Sequence, residues 1–335
     1  SSVTGVQTCA LPIWALMNLV LVWQDESGTV ARRLVLAGVA VLLATSKIQH
    51  LVLPLAIALV LFVHERLGLL RMRMAPRTRR WQVSALLAGA LLGAGIQAAQ
   101  LARDDGLMQS IRSANRANVV FTGLLPAVAD APATLARLGL PADCARFTGL
   151  RAWQLPDVPE TVCPGIERVG RLAVLGQFLH EPLALLHFLG AGLMALDPWI
   201  PDRLGHVAGV PLGRVPADFF TWDGLLTRHA PLRGLLLALP VVVAAWRLGR
   251  PGRLARLAVM LATAMGATLL VTIFGDGLAD TAKQGHLIFN AALGFDLLLL
   301  ARAVLYLVRL ASRYSTRMQA VDLDQKLAPA DVAEQ

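Results

Sequence analysis

Seven runs of apolar residues constrain the fold of this chain more than any other feature of its sequence. They cover residues 14–23, 32–45, 48–63, 83–102, 234–247, 256–275 and 286–309. An α-helix needs about 20 residues to cross the roughly 30 Å hydrocarbon core of a bilayer. Several runs are shorter, so tilting, local thinning or flanking residues must complete those crossings. The runs predict an all-α, polytopic membrane helix bundle with about seven transmembrane helices.

The composition agrees with a lipid environment. Hydrophobic residues make up 56% of the 335 residues, charged residues make up 16%, and the mean hydropathy is +0.59. Soluble domains are less apolar than this. The net charge of +9 comes almost entirely from arginine, and in a membrane protein such an excess first reports topology. We therefore exclude nucleic acid as a partner.

Clusters of arginine orient the predicted bundle. They lie in the turn at 64–82, at 247–253 and from Arg309 onward, and the positive-inside rule places all three in the cytoplasm. Alternating crossings then put the turn SKIQH, the long stretch 103–233 and the turn 275–286 on the outer side. The long stretch carries as many acidic as basic residues, which is typical of a translocated segment.

This orientation divides the chain into parts. Residues 14–102 form the N-terminal transmembrane helices, 103–233 an extracytoplasmic, partly helical insertion, 234–310 the C-terminal transmembrane helices, and 311–335 a disordered cytoplasmic tail. Residues 1–13, SSVTGVQTCALPI, have no charged start and no cleavage signal, and they look like translated sequencing adapter. We expect native sequence to begin near Trp14, with its own N-terminus missing.

One apolar run in the outer insertion is ambiguous. Residues 172–196 are apolar enough to span a membrane, but a single crossing there would place the arginines after residue 246 outside. We predict a helix on or in the outer interface, broken at Glu181-Pro182 because proline lacks the N–H donor and clashes with the preceding turn. Two additional crossings would also preserve the orientation.

Two cysteines lie in the outer insertion. Cys144 and Cys163 each follow or precede a turn-forming proline, and an oxidising compartment permits them to pair. We predict that they form a disulfide. Two unpaired thiols are the alternative, since two cysteines are not a disulfide framework.

The turn ATSKIQH, residues 44–50, places polar side chains between two strongly apolar runs. Ionisable residues at the membrane edge are costly and usually face a cavity or a partner. The Lys47 ammonium can point at a phosphate at the headgroup level, with Gln49 and His50 as further donors. In the alternative interpretation Lys47 snorkels to the interface and its neighbours cap helix ends.

A second outer turn is also polar. Asp276, Asp280, Lys283 and His286 lie within GDGLADTAKQGH, whose Gly275, Gly277 and Gly285 permit close backbone approach. Carboxylates with a nearby cation can bind a divalent metal or a pyrophosphate, or they can pair internally. No histidine spacing indicates a metal site, and no nucleotide-binding loop is present. Two polar turns on one face suggest a shared substrate site.

Four segments together resemble a known family. They are TSKIQH, the stretch 116–150 with NVVFTGLL and LGLP, GQFLHEPLALLHFL at 176–189, and GDGLADTAKQGHLIFN at 275–290. Across roughly residues 30–310 the chain resembles bacterial polytopic glycosyltransferases of the GT-C type, most of all the surface-glycan hexosyltransferases. The resemblance implies a multi-pass protein of the bacterial inner membrane. It also implies transfer of a hexose from a polyprenyl-phosphate carrier to a growing surface glycan on the outer side.

The chemistry of glycosyl transfer indicates roles for these residues. Inversion needs a carboxylate to accept the acceptor's proton and cationic donors to stabilise the departing phosphate. In the family the acidic residue usually lies in the first outer loop, which we expect to be lost with the missing N-terminus. Asp276 is then a substitute candidate for the base. Lys47, Gln49, His50, Asp280, Lys283 and His286 are the candidate lipid-phosphate or substrate ligands.

Two other functions stay open. A lipid or solute transporter would use midplane charges, broken helices and internal repeats. The chain has no internal repeat, and its polar clusters lie at the outer face, which favours an interfacial enzyme. A non-catalytic subunit of a glycan-export complex is the second alternative, because a fragment without its base would look the same.

Overall fold

The structure is a computed structural model that describes residues 13–23, 26–46, 48–67, 76–102, 106–196, 229–246, 252–279 and 281–327. These residues are helices, turns and bends, with no β-strand among them. The predicted all-helical class is therefore confirmed for the described part of the chain. The predicted adapter-like segment lies outside it, except for Ile13.

The helices have the following bounds. The first four are α1 (Ile13–Val22), α2 (Val30–Ser46), α3 (Val52–Leu67) and α4 (Pro76–Leu101). The next four are α5 (Gly106–Asn118), α6 (Leu125–Ala127), α7 (Ala131–Arg137) and α8 (Pro159–Val162). The last five are α9 (Arg171–His180), α10 (Pro182–Met194), α11 (Ala230–Trp246), α12 (Arg253–Asp276) and α13 (Thr281–Leu327). Short 3₁₀ turns and one π-helical segment, Val119–Leu124, connect them.

Three helices of the described chain are long and apolar enough to cross a membrane. They are Arg80–Leu101 within α4, Arg253–Asp276, which is α12, and Ile288–Ser312 within α13. The other four predicted spans fall on α1, α2, α3 and α11, which have 10 to 17 residues. At about 1.5 Å per residue, 17 residues reach only about 25 Å. The structure thus indicates a membrane protein, but it does not support the predicted count of seven spans.

The chain divides into two compact units between Ala292 and Leu293. In the second unit, every described side chain from residue 301 to residue 312 is exposed. The helix α13 continues to Leu327. Residues 311–327, where the sequence predicts the start of the cytoplasmic tail, are helical. The sequence from Ala311 to Leu327 contains neither glycine nor proline, so nothing in it interrupts the helix.

Helices α2 and α4 pack closely through small residues. A Cβ on Gly89 would meet Ala37 O at 2.5 Å and Ala40 Cβ at 2.6 Å, and one on Gly93 would meet Ala44 Cβ at 2.5 Å. Glycines facing alanines let two helix backbones approach, as is common between membrane helices. One turn further along α4, the Gln97 amide donates to the backbone oxygens of α2 at its end, Ala44 (3.3 Å) and Thr45 (3.2 Å).

The helix α12 is central to the first unit. It contacts α3, α5, α10 and α11, the π-helical segment, and the 3₁₀ turn Ile48–Leu51 that holds the end of SKIQH. It is also half buried within the protein. The 3₁₀ turn Ile48–Leu51 and parts of the predicted outer insertion therefore pack on the same helix.

The apolar run at 172–196 is broken where the sequence predicts. Helix α9 ends at His180 and α10 begins at Pro182, so Glu181 lies between them. The Glu181 carboxylate accepts a hydrogen bond from the Ala129 backbone N–H at 2.7 Å. The break is therefore held by a contact with the residues that follow α6. Helices of 10 and 13 residues are each too short to span a bilayer.

The topology is open to direct measurement. In intact cells, on a background without native cysteines, Lys47→Cys and Asp280→Cys are expected to react with an impermeant maleimide, as is Val158→Cys, an exposed position close in sequence to the buried Cys163. Arg77→Cys and Arg250→Cys should react only after permeabilisation, because arginine clusters are retained in the cytoplasm. Labelling of position 250 from outside would overturn both the orientation and the interfacial placement of α9 and α10.

Candidate functional site

Three parts of the first unit pack together at a place that we name the junction. They are the last turn of α12 with the turn after it (residues 273–278), the segment 118–124, and the helices α9 and α10. The Thr122 hydroxyl donates to the Asn118 carbonyl at 2.7 Å and accepts from the Leu278 backbone N–H at 2.9 Å. One threonine thus connects the outer insertion to the turn that follows α12.

Aromatic rings fill the other side of the junction. The ring centroids of Phe178 in α9 and Phe188 in α10 are 5.4 Å apart. The Phe274 centroid lies 5.9 Å from that of Phe178 and 5.1 Å from that of Phe188. Such offset and edge-to-face pairs add to the free energy of area burial. The Arg171 guanidinium donates to the Phe274 carbonyl at 3.3 Å, which satisfies one of the last carbonyls of α12.

Three glycines permit this close packing. Gly277 has φ 63° and ψ −144°, a conformation that side-chain-bearing residues rarely adopt. A Cβ there would fall on the Asn118 carbonyl and lie 2.7 Å from Thr122 Oγ1. A Cβ on Gly123 would collide with the Phe188 ring, and one on Gly192 would lie 2.7 Å from Ile273 Cγ2. The sequence predicts a close backbone approach in the turn that holds Gly277. In the structure, the Asn118 carbonyl and the Thr122 side chain make this approach.

The segment Val119–Leu124 is π-helical, and all six of its residues are buried. π-Helical turns are rare and frequently occur at functional sites. Just before it, the Asn118 side-chain oxygen accepts a hydrogen bond from the Ala152 backbone N–H at 2.7 Å. This segment therefore links α12 on one side to the disulfide-bonded part of the insertion on the other.

An arginine connects α5 to the 3₁₀ turn Ile166–Arg168. The Arg116 guanidinium donates to the Glu167 carbonyl. The Glu167 side chain is partly exposed, and its carboxylate has a lowered pKa, chiefly because its own backbone N–H donates to it, and also because it pairs with Arg168 at 3.3 Å. These contacts are at the surface, so they orient the segment more than they stabilise it.

The structure joins Cys144 and Cys163 in a disulfide, the pairing that the sequence predicts. Their Cα atoms are 5.6 Å apart, both residues are buried, and the bond connects the 3₁₀ turn Ala142–Phe147 to the end of α8.

The disulfide can be tested in protein isolated from cells. Peptide mapping by mass spectrometry without reduction is expected to find Cys144 and Cys163 in one cross-linked species. The closed loop of 19 residues should stabilise the folded insertion by about 3 kcal/mol in the chain-entropy description. Two alkylated free thiols in protein from an oxidising compartment would refute the pairing.

Of the first predicted ligand group, only His50 is described in full. It is 2% exposed, and its Nδ1 lies 2.9 Å from the Ser46 hydroxyl. The Gln49 backbone belongs to the 3₁₀ turn, but its side chain lies outside the described residues, as does Lys47. Since His50 is buried against α2, its imidazole holds the turn together. The structure does not place it as an exposed phosphate donor.

The second predicted group lies beside the junction. Asp276 is the last residue of α12, partly exposed, and adjacent to Gly277. Asp280 lies outside the described residues. Lys283 and His286 belong to the first turns of α13, with side chains outside the described part. Among described residues, no group of three His, Cys, Asp or Glu side chains could hold a metal ion.

One charged residue escaped the sequence analysis. Asp296 lies eight residues inside the candidate span Ile288–Ser312, and neither carboxylate oxygen has a hydrogen-bond partner among described residues, although both are buried. An acidic residue within an apolar run indicates a functional site by default. The signal was present in the sequence, but the run was interpreted only as a span.

Comparison with known proteins finds no matching family model, no matching curated protein and no matching solved structure. The resemblance to GT-C enzymes therefore depends on the sequence segments alone. The function has to be proposed from those segments and from the geometry of the junction.

Proposed function

We propose that this chain is a membrane glycosyltransferase of the GT-C type. It transfers a hexose from a polyprenyl-phosphate carrier to a cell-surface glycan at the outer face of the bacterial inner membrane. One observation carries the proposal: the 3₁₀ turn of SKIQH and the predicted outer insertion both contact helix α12, and α12 ends in the first residues of GDGLADTAKQGH. These are the segments on which the family resemblance depends.

The proposed site lies on the outer side, at the ends of the candidate spans. A polyprenyl phosphate presents its charge just outside the hydrocarbon. Lys47 is its first ligand, with Gln49, and with Lys283, His286 and Asp280 approaching from the second turn. His50 supports the turn from within. In the same topology α1, α2, α3 and α11 also cross the bilayer, with tilt and flanking residues supplying the missing length.

The reaction needs only two kinds of group. The acceptor hydroxyl attacks the anomeric carbon, its oxygen forms the new glycosidic bond, and the bond from that carbon to the phosphate oxygen breaks. A carboxylate takes the hydroxyl proton, and cations stabilise the charge on the departing phosphate. Asp276 is the candidate base within the described residues, because it borders the junction. The carrier leaves as a polyprenyl phosphate.

The proposal is tested in the bacterium that carries the gene. Deletion should remove one hexose from the composition of the surface glycan, and the wild-type gene should restore it. Asp276→Asn should restore less than wild type at equal protein level if Asp276 takes the proton. An unchanged glycan composition after deletion would contradict the proposed transfer.

Asp296 favours a second candidate function, transport of a solute or lipid. The Asp296 carboxylate lies roughly 12 Å along the helix from the start of its span. Ionisable side chains at this depth mark the substrate and ion pathways of transporters. Asp296→Asn keeps the shape of the side chain and removes its charge. Under glycosyl transfer at the outer face, this variant should restore the glycan as wild type does. Loss of complementation at normal expression would favour transport.

A further inference from the structure

The helices α9 and α10 expose a row of leucines. Leu172 and Leu179 are each 84% exposed, Leu183 is 68% exposed and Leu186 is 63% exposed. We name these four residues the leucine face. Large apolar side chains scattered singly on a surface are ordinary, but a contiguous row of them marks an interaction site.

The opposite side of the same two helices is also apolar. Val174, Phe178, Ala184, Phe188 and Gly192 are buried there, against α12 and the π-helical segment. In the whole of α10 the only ionisable residue is His187. A helix that is apolar on both sides belongs in a protein core or in a membrane. The inner side is already in the core, so the outer side needs another apolar environment.

The neighbouring part of the insertion behaves differently. Between residues 125 and 170, the exposed residues are almost all polar or charged, such as Asp143, Asp157 and Arg168, or are glycine, alanine and proline. Only Trp153 and Val158 are large, apolar and exposed in that range. The water-facing surface of the insertion therefore gives way to an apolar surface where α9 begins.

The position of helices α9 and α10 indicates what covers the leucine face. The side chains that α9 and α10 contact, Ile273 and Phe274, lie in the last turn of α12, a helix long enough to cross a membrane. The leucine face therefore starts at the depth where the span ends. A surface beside a membrane span, with apolar side chains along both helices and with the exposed Arg171 and His180 at the two ends of α9, fits the acyl chains of a lipid leaflet.

We propose that the leucine face inserts into the acyl-chain region of the outer leaflet. Helices α9 and α10 lie along the outer interface, held at their break by Glu181 and anchored to α12 by Phe178 and Phe188. This inference does not depend on glycosyl transfer, because it uses only the burial of these residues and their place beside α12.

The test uses single cysteines carrying bimane, in the full chain with Cys9→Ser, reconstituted in phosphatidylcholine and phosphatidylglycerol liposomes. Labels at Leu179→Cys and Leu183→Cys should lose more than about half of their fluorescence to lipids brominated on the acyl chains, and little to aqueous iodide. Val158→Cys, at a position that is 55% exposed and lies outside the leucine face, is the control and should show the reverse. The substituted side chains are exposed, so the fold tolerates them, and a retained Cys144–Cys163 disulfide verifies this.

Two outcomes would overturn the proposal. If iodide quenches positions 179 and 183 as it quenches position 158, the leucine face is in water. If neither quencher reaches them, a protein partner or a second copy of the chain covers the face. Quenching by the brominated lipids alone supports insertion.

Discussion

Gly277→Ala is expected to lower the free energy of unfolding by about 2–4 kcal/mol, because it combines backbone strain with overpacking. The φ of 63° and ψ of −144° disfavour any Cβ, and that Cβ would also fall on the Asn118 carbonyl. Relief would require the turn to move away from the π-helical segment. That movement would break the hydrogen bond from Leu278 N–H to Thr122 and leave a backbone donor without its partner.

Gly266→Ala, within helix α12, is the control. A Cβ there would meet nothing within 4 Å, so alanine should leave stability unchanged or raise it by up to about 1 kcal/mol. Thermal unfolding in one detergent, followed by tryptophan fluorescence, compares the two variants with wild type. Equal midpoints for both variants would mean that α12 and the insertion do not meet at Gly277 as the structure has them.

Lys47→Ala is expected to reduce glycan transfer by at least about tenfold, because losing one partner of a desolvated ion pair costs several kcal/mol. A phosphate at the membrane surface lies in a medium of low dielectric constant, where an ammonium attracts it more strongly than in water. Lys47→Arg keeps the charge with changed geometry and should lose less. Lys47→Gln should resemble alanine. Restoration of the glycan hexose in the deletion strain measures each variant, at matched protein level.

Retained transfer and retained carrier binding in Lys47→Ala would have a clear meaning. The lysine would then be an interfacial anchor whose ammonium snorkels to the headgroups. The main residue-level support for a polyprenyl-phosphate ligand would disappear with it.

Local rules predicted the features that depend on neighbouring residues. Pro182 lacks an N–H, so the break between α9 and α10 follows from one residue. The prolines beside Cys144 and Cys163 indicated exposed turns, which the disulfide joins. The helical class follows from the apolar runs, whereas the number of spans does not, because α2, α3 and α11 end before the length of a bilayer is reached.

Contacts between distant residues could not be predicted in this way. Thr122 and Leu278 are 156 positions apart, and no pattern in either segment specifies the other. The π-helical turn also leaves no periodic signature, since all six of its residues, including the polar Thr122, are buried. His50 was interpreted as a ligand because it is polar, but its burial and its contact with Ser46 depend on how α2 and α12 enclose the turn.

Selective binding of a polyprenyl phosphate is the most direct test of the proposed function. The full-length protein is placed in nanodiscs that contain equal amounts of polyprenyl phosphate and phosphatidylglycerol. Native mass spectrometry of the protein released from them then counts the lipids that stay bound. We expect the polyprenyl phosphate to be retained in excess, and Lys47→Ala to remove that excess. Retention of the two lipids in the proportion supplied, in wild type and variant alike, would contradict a carrier-dependent glycosyltransferase.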